Sequence, residues 1–269
     1  MTITARTRVF ALLGQPVAHS LSPRIQNAAF RAAGIDAVYV AMACTATELP
    51  AIAHALIRSG GGGNVTVPHK TVAATIGSPD ARVSALGAAN VFGVDQTGAP
   101  VVRNTDVDGI TALVSGLAIA APVWGILGTG GSARAAAGAA KEAGVSIAVR
   151  SRDSERGRRF GEWAGTLGLA VVPFEAATLL INATPLGLLP DDALPIELAQ
   201  WPGISAVLDL TYRHDGPTEL VRLALESGLP TADGREMLIV QGAAAWQTWL
   251  PGITPPMEVM RAALAGRMG

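Results

Sequence analysis

Residues 9–13, Val-Phe-Ala-Leu-Leu, form an unbroken apolar run that stops at Gly14-Gln15-Pro16, the pattern of a buried strand closed by a turn. Behind Ser22-Pro23, the residues Ile25, Ala28, Ala29 and Ala32 recur at helical spacing. This predicts a helix with Ser22 as its cap and Pro23 at its first position, ending at Gly34. The pattern then repeats, with a strand at 38–42, a helix over 46–58 carrying Leu49, Ile52, Ala53 and Leu56 on one face, and a strand at 64–67. Short helical pieces follow, one up to residue 74 and one over 80–86, and then a hairpin in which 91–94 and 100–103 flank Asp95-Gln96-Thr97-Gly98. Such alternation predicts a mostly parallel sheet with helices on its faces.

A second series starts after Asn104-Thr105-Asp106 with a helix from 107 to about 117. Strands are expected at 123–127, 146–149, 170–172, 179–183 and 207–210, with helices over 132–143, 154–165 and 218–227. The remaining stretches, 236–249 and 256–265, read as purely helical. The expected fold is therefore α/β in two lobes, with the C-terminal helices available to pack back on the first.

Composition narrows the function. The chain has 269 residues, 49% of them hydrophobic, enough for a large buried core. Its net charge of −1 offers no electrostatic case for nucleic acid or an acidic lipid surface, so a small solute is the expected partner. A single cysteine, Cys44, excludes an intramolecular disulfide, and without a Cys/His cluster no metal site is expected. Both fit a reducing cytoplasm. The apolar run near the start is too brief for a signal peptide, and the longest apolar stretch, 117–127, is broken by Pro122 and falls short of the ~20 residues of a membrane span.

Two stretches carry chemistry. Val123-Trp124-Gly125-Ile126-Leu127-Gly128-Thr129-Gly130-Gly131-Ser132-Ala133 sets a G-x-G-x-x-A turn between a predicted strand and an Ala-rich helix. Gly128 permits the tight turn, Gly130 lets backbone N–H groups approach a pyrophosphate, and Ala133 allows close packing of helix on strand. At the end of the next strand stands Arg150-Ser151-Arg152-Asp153-Ser154-Glu155-Arg156. Arg152, with Arg150 or Arg156, suits the extra phosphate of NADP, whereas Asp153 keeps NAD as the less favoured choice. In the other stretch, Asn64-Val65-Thr66-Val67-Pro68-His69-Lys70, a strand pattern stops at a proline and a lysine follows at once. A lysine fixed there can donate or accept a proton.

Taken together, Ser20-Leu21-Ser22, the 64–70 run, Gly87-Ala88-Ala89-Asn90, Asn104-Thr105-Asp106, the Gly128 turn, Asn182-Ala183-Thr184-Pro185-Leu186-Gly187 and residues 237–242 closely resemble the shikimate dehydrogenase family, in the family's order and over nearly the whole chain. The resemblance implies reversible NADPH-dependent reduction of 3-dehydroshikimate to shikimate in aromatic amino acid biosynthesis. It implies a substrate-binding domain of 1–105 plus 238–269 and a Rossmann-like NADP-binding domain of 106–237. Lys70 and Asp106 would be the catalytic pair, because making an alcohol from a ketone needs a proton on oxygen as well as hydride on carbon. Ser20 and Ser22 would hold the substrate carboxylate, and Asn64, Thr66, Asn90, Tyr212 and Gln241 would join the catalytic pair in a polar ring around the substrate hydroxyls. Gly128, Thr129, Gly130, Gly131, Ser132 and Ala133 would cradle the pyrophosphate, with Arg150, Ser151, Arg152 and Arg156 on the adenosine side. Asn182, Ala183, Thr184, Leu210, Gly234 and Met237 would border the nicotinamide and its ribose.

His69 is read as structural despite its place beside Lys70. Three departures from the family pattern stand out: Gln26 where histidine is usual, Ser151-Arg152-Asp153 in place of Asn-Arg-Thr, and a spacing from Tyr212 to Thr218 one residue longer than common. A quinate or aminoshikimate dehydrogenase, and a non-catalytic sensor of nucleotide and cyclohexene acid, are the alternative functions. Monomer and homodimer are both open.

Overall fold

In the computed structural model, which describes residues 2–214 and 216–266, the chain divides into two units, Met1–Thr105 with Leu238–Gly269 and Asp106–Met237. Each is built on its own sheet.

The first unit runs β1 (Arg8–Gly14), α1 (Ser22–Ala32), β2 (Ala37–Ala43), α2 (Leu49–Arg58), β3 (Gly62–Val65), α3 (Lys70–Ala73), β4 (Ser78–Pro79), α4 (Ala81–Leu86), β5 (Val91–Val94) and β6 (Pro100–Arg103). Its sheet, in the order β2-β1-β3-β5-β6-β4, is mostly parallel, with β5 as its one reversed strand. β1 pairs in parallel with β2 and β3, but β5 runs antiparallel to both β3 and β6. The reason is the tight β5–β6 turn, since a short connection can only return the chain antiparallel. Asp95 Oδ1 organises that turn by accepting from Thr97 N–H at 2.8 Å, Thr97 Oγ1 at 2.6 Å and Ala99 N–H at 3.0 Å. β3 ends two residues before the predicted strand does, because Val67 is exposed and Pro68 has no N–H to pair.

The second unit runs α5 (Asp106–Gly116), β7 (Val123–Leu127), α6 (Gly131–Ala143), β8 (Ser146–Arg150), α7 (Ser154–Thr166), β9 (Leu179–Asn182), β10 (Ala206–Asp209), α8 (Glu219–Glu226) and β11 (Thr231–Asp233). All four pairings in the order β11-β10-β9-β7-β8 are parallel. The strand expected at 170–172 reduces to one bridge between Ile147 and Val171, for Val171 is 43% exposed and Pro173 stands two residues on. β11 lacks an apolar run and escaped prediction. It is an edge strand held by pairing with β10.

The chain then forms α9 (Gly234–Ala244), α10 (Trp246–Trp249) and α11 (Met257–Leu264). The C-terminal segment packs on the first unit through an aromatic cluster: Phe10 meets Phe30 and Trp249 at 5.3 Å each, and Phe30 meets Trp246 at 5.5 Å between ring centroids. Trp246 is fully buried and donates its Nε1–H to Gln26 Oε1 at 2.8 Å, while Gln26 Nε2 donates to Gly242 O at 3.0 Å. The departure at Gln26 thus lies in a buried bridge between α1 and the C-terminal helices. Trp249 Nε1 reaches Phe92 O at 3.1 Å. Such burial of large rings dominates core energetics.

Candidate active site

Sheet topology gathers the first unit's polar residues at one edge. The C-terminal ends of the parallel strands β1 and β3 lie together, and they lead into Ser20-Leu21-Ser22 and Thr66 to Lys70. Because β5 is antiparallel to β3, Asn90 sits at the same edge just before β5 begins, and β6 returns to deliver Thr105.

These residues are joined by neutral hydrogen bonds. Tyr39 Oη donates to Asn64 Oδ1 at 2.7 Å, and Asn64 Nδ2 donates to Asn90 O at 3.1 Å. Asn90 Nδ2 donates to Thr105 Oγ1 at 3.1 Å and to Gln241 Oε1 at 3.2 Å, while Asn90 Oδ1 accepts from Thr105 N–H at 2.8 Å. Thr105 Oγ1 in turn donates to Gln241 O at 3.0 Å. Asn64, Asn90, Thr105 and Gln241 are all buried, and Tyr39 is 1% exposed. Tyr39 and Thr105 were missed in the sequence. The only signal was a tyrosine in an otherwise aliphatic strand and a threonine inside a matched motif.

Lys70 opens α3 and is 8% exposed, whereas a lysine after a strand is ordinarily a solvated surface group. Its carbonyl accepts from Ala89 N–H at 2.8 Å, which ties it to the segment that carries Asn90. His69 is buried with Nε2 2.8 Å from Cys44 O, in agreement with a structural role. Ser22 is not a cap but the first residue of α1, and Leu21 takes the cap position. The capping oxygen belongs to Ser20, whose Oγ accepts from Ser22 N–H at 3.1 Å. The helix therefore gives a reason for Ser20, and both hydroxyl hydrogens are without an acceptor among the described residues. Thr66 is half-buried after β3. Asp106, buried at the start of α5, and Tyr212, half-buried after β10, belong to the second unit.

In that unit every strand is parallel, so the carboxyl ends all share one edge. Four of the strand ends lead into matched segments: Gly128 to Ser132 after β7, Ser151-Arg152 after β8, Asn182-Ala183-Thr184 at β9 and Leu210 after β10. Gly234 follows β11. The chain leaves β7 toward β8 on one side and returns to β9 on the other, so the Gly128 turn and Asn182–Thr184 flank the switch point where ligands of such sheets bind. Gly128 has φ of 99°, and an added Cβ would stand 3.2 Å from Ala183 O. At Gly234 a Cβ would lie 2.6 Å from Leu210 O, so only glycine lets α9 begin against β10. Met237 is buried on α9.

The residues fit a dinucleotide phosphate. Gly130 is extended and caps the 13-residue α6, and a Cβ there would meet nothing within 4 Å, leaving open space before the helix amides. Ala133 is fully buried against the sheet, with Gly131, Ser132 and Thr129 half-buried around the turn. Among the arginines, Arg150 lies over the Trp201 ring at 5.0 Å and Arg156 Nε pairs with Asp153 Oδ2 at 3.4 Å. Arg152 is exposed, and its guanidinium has no hydrogen-bond or ion-pair partner among the described residues. Asp153, the residue that kept NAD in play, caps α7 by accepting from Arg156 N–H at 3.0 Å. Its Oδ1 is thereby engaged by the helix, and the free Arg152 guanidinium suits a phosphate. No group of His, Cys, Asp or Glu among the described residues could hold a metal ion, and no helix among them is long and apolar enough to cross a membrane.

Comparison with known proteins agrees with this geometry. Residues 12–92 match the model of the shikimate dehydrogenase substrate binding domain. The shikimate dehydrogenase (NADP+) of Synechococcus sp. (strain JA-3-3Ab) is 38% identical over 276 residues, covering 97% of this chain and 94% of that one. The corresponding protein of Rubrobacter xylanophilus is 37% identical and covers 98% of each chain. Among solved structures, the Thermus thermophilus shikimate 5-dehydrogenase in complex with NADP(H) and shikimate superposes with a TM-score of 0.85 at 33% identity, over 97% of this chain and 100% of that one. The strand order, the buried amide network and the glycine turn thus stand in a chain that belongs to the shikimate dehydrogenase family.

Proposed function

We propose that this protein is an NADP-dependent shikimate dehydrogenase, catalysing the reversible reduction of 3-dehydroshikimate to shikimate on the route to chorismate and the aromatic amino acids. The observation that carries the reading is Lys70, a lysine 8% exposed whose carbonyl is tied to the segment that carries the buried Asn90. NADPH, held by the Gly128 turn and Arg152 and bordered by Ala183, Thr184, Leu210, Gly234 and Met237, would supply the hydride. Lys70 polarises the ketone and delivers a proton to its oxygen through Nζ, and Asp106 shares that proton work as the partner carboxylate. Ser20 and Ser22 bind the substrate carboxylate with their unspent hydroxyl hydrogens, aided by the amides at the start of α1. Asn64, Thr66, Asn90, Tyr212 and Gln241 read the ring hydroxyls by neutral hydrogen bonds, which favours a polyhydroxylated ligand over a second charged one.

We assign the enzyme to the cytoplasm, acting on small molecules. Steady-state rates with shikimate, quinate and aminoshikimate, each with NADP and NAD, test the assignment. The expected result is fastest turnover of shikimate with NADP. Faster turnover of quinate with NAD would overturn it, and binding of both ligands without turnover would mean a sensor.

A further inference from the structure

Asp209 closes β10 and is 0% exposed, yet the reaction proposed above gives it no part. Its carboxylate is surrounded by neutral donors from three separate segments. Oδ1 accepts from Asn182 Nδ2 at 2.9 Å, Thr211 N–H at 3.0 Å and Thr211 Oγ1 at 2.7 Å. Oδ2 accepts from Thr218 Oγ1 at 2.6 Å, the hydroxyl that also caps α8. Burial pushes the carboxyl up from its ordinary range, and the hydrogen bonds from Thr218, Thr211 and Asn182 oppose that. A charge buried without a counter-ion is a costly way to end a strand that an apolar residue could end as well.

What the charge accomplishes is visible one residue further out. Asn182, also 0% exposed, spends its whole amide inside the next turn. Its Nδ2 donates to Leu186 O at 3.0 Å as well as to Asp209, and its Oδ1 accepts from Thr184 N–H at 3.1 Å and Thr184 Oγ1 at 2.7 Å. Thr184 Oγ1 then accepts from Leu186 N–H at 3.2 Å. The side-chain amide of Asn182 is therefore paired within the protein. An amide can present either end, but an ionised carboxylate only accepts. Asp209 takes one Nδ2 hydrogen of Asn182 and the Leu186 carbonyl the other, which leaves Oδ1 for Thr184.

We propose that Asp209 is a positioning residue for the cofactor: by anchoring the Asn182 amide through a buried charged hydrogen bond it braces the turn at 183–187, and thereby sets the affinity for NADP+, without touching it. The inference rests on the NADP reading above. The test is equilibrium titration of NADP+ and, separately, of shikimate on the full chain, with thermal unfolding as a control for folding. Asp209→Asn keeps the shape but cannot offer an acceptor to both Thr218 and Asn182, and it removes the charge that anchors the Asn182 amide. It is expected to weaken NADP+ about tenfold, the scale of one buried charged hydrogen bond, with shikimate affinity unchanged. Thr211→Val, which removes one donor and keeps the volume, is expected to fall between wild type and Asp209→Asn, and it carries the test if the latter does not fold. NADP+ affinity within twofold of wild type in both folded variants, with only the melting temperature lowered, would overturn the proposal and leave the cofactor reading intact. A wild-type protein that binds no NADP+ would overturn both.

Discussion

In the first unit the candidate ligand groups are side chains, and in the second they are mostly backbone. Ser20, Asn64, Lys70, Asn90 and Gln241 come from segments far apart in the chain; Asn64, Asn90 and Gln241 are oriented by other side chains, Ser20 Oγ accepts from the Ser22 N–H, and the Lys70 carbonyl accepts from the Ala89 N–H. Gly128 to Ser132 is one local turn, and what prepares it for a phosphate is missing Cβ atoms and the amides of a single helix. The two units therefore differ in how far they tolerate substitution. A backbone cradle keeps its donors under almost any substitution that spares the glycines, whereas an amide network fails when one member is removed, because each buried group it leaves is unsatisfied.

The largest way to strain this comparison is Lys70→Ala. Turnover is expected to fall by roughly 10²–10⁴, the usual span for a positioned acid/base group, with little change in the Michaelis constant for shikimate and none in NADP+ affinity. An affinity loss with normal turnover would remove Lys70 from catalysis. Arg152→Ala is the corresponding loss in the second unit, expected to raise the Michaelis constant for NADP about tenfold and to leave that for NAD nearly unchanged. Equal effects on both cofactors would show that Arg152 does not read the phosphate.

Tyr39→Phe asks whether the amide network matters at one remove. Without the phenol, Asn64 Oδ1 loses a 2.7 Å hydrogen bond in a buried setting. The Michaelis constant for shikimate is expected to rise about fivefold, with NADP+ affinity unmoved. An unchanged constant would mean that Asn64 is held by Asn90 alone. The smallest effect is on stability. Burial raises the Asp209 carboxyl above an ordinary value of about 3.9, so the folded chain binds that proton more tightly than the unfolded one. Unfolding then releases a proton, and the contribution of Asp209 to stability declines as pH rises from about 4 through the raised value and levels off beyond it. The stability difference between wild type and Asp209→Asn, followed by denaturant unfolding across that range, should show this decline. A flat difference would mean that burial does not perturb the group.

The elements that were legible beforehand are those with a local cause. The helix over Gly131–Ala143 and its glycine turn are written in one run of residues, as is the turn at Asp95. The bridge at Val171, the edge strand β11 and the true cap of α1 were not, because each depends on which neighbour supplies a partner. Likewise, that Asp153 caps α7 depends on the fold of the segment after β8, not on its sequence alone.

By itself the sequence determined the chemistry on offer: a phosphate turn, a lysine after a strand, two serines before a helix, and their order along the chain. A φ above zero, a cap or a strand-helix step is settled within a few residues, so it can be read from them. Tertiary structure alone decided which groups are spent and which are left to act. Asn90 meets Gln241 across 151 positions of sequence because an antiparallel strand returns to the edge where α9 passes. Asp209 is a buried carboxylate because its strand lies between two others. Burial and hydrogen-bond partners are properties of neighbours, and neighbours are fixed only when the sheets have formed.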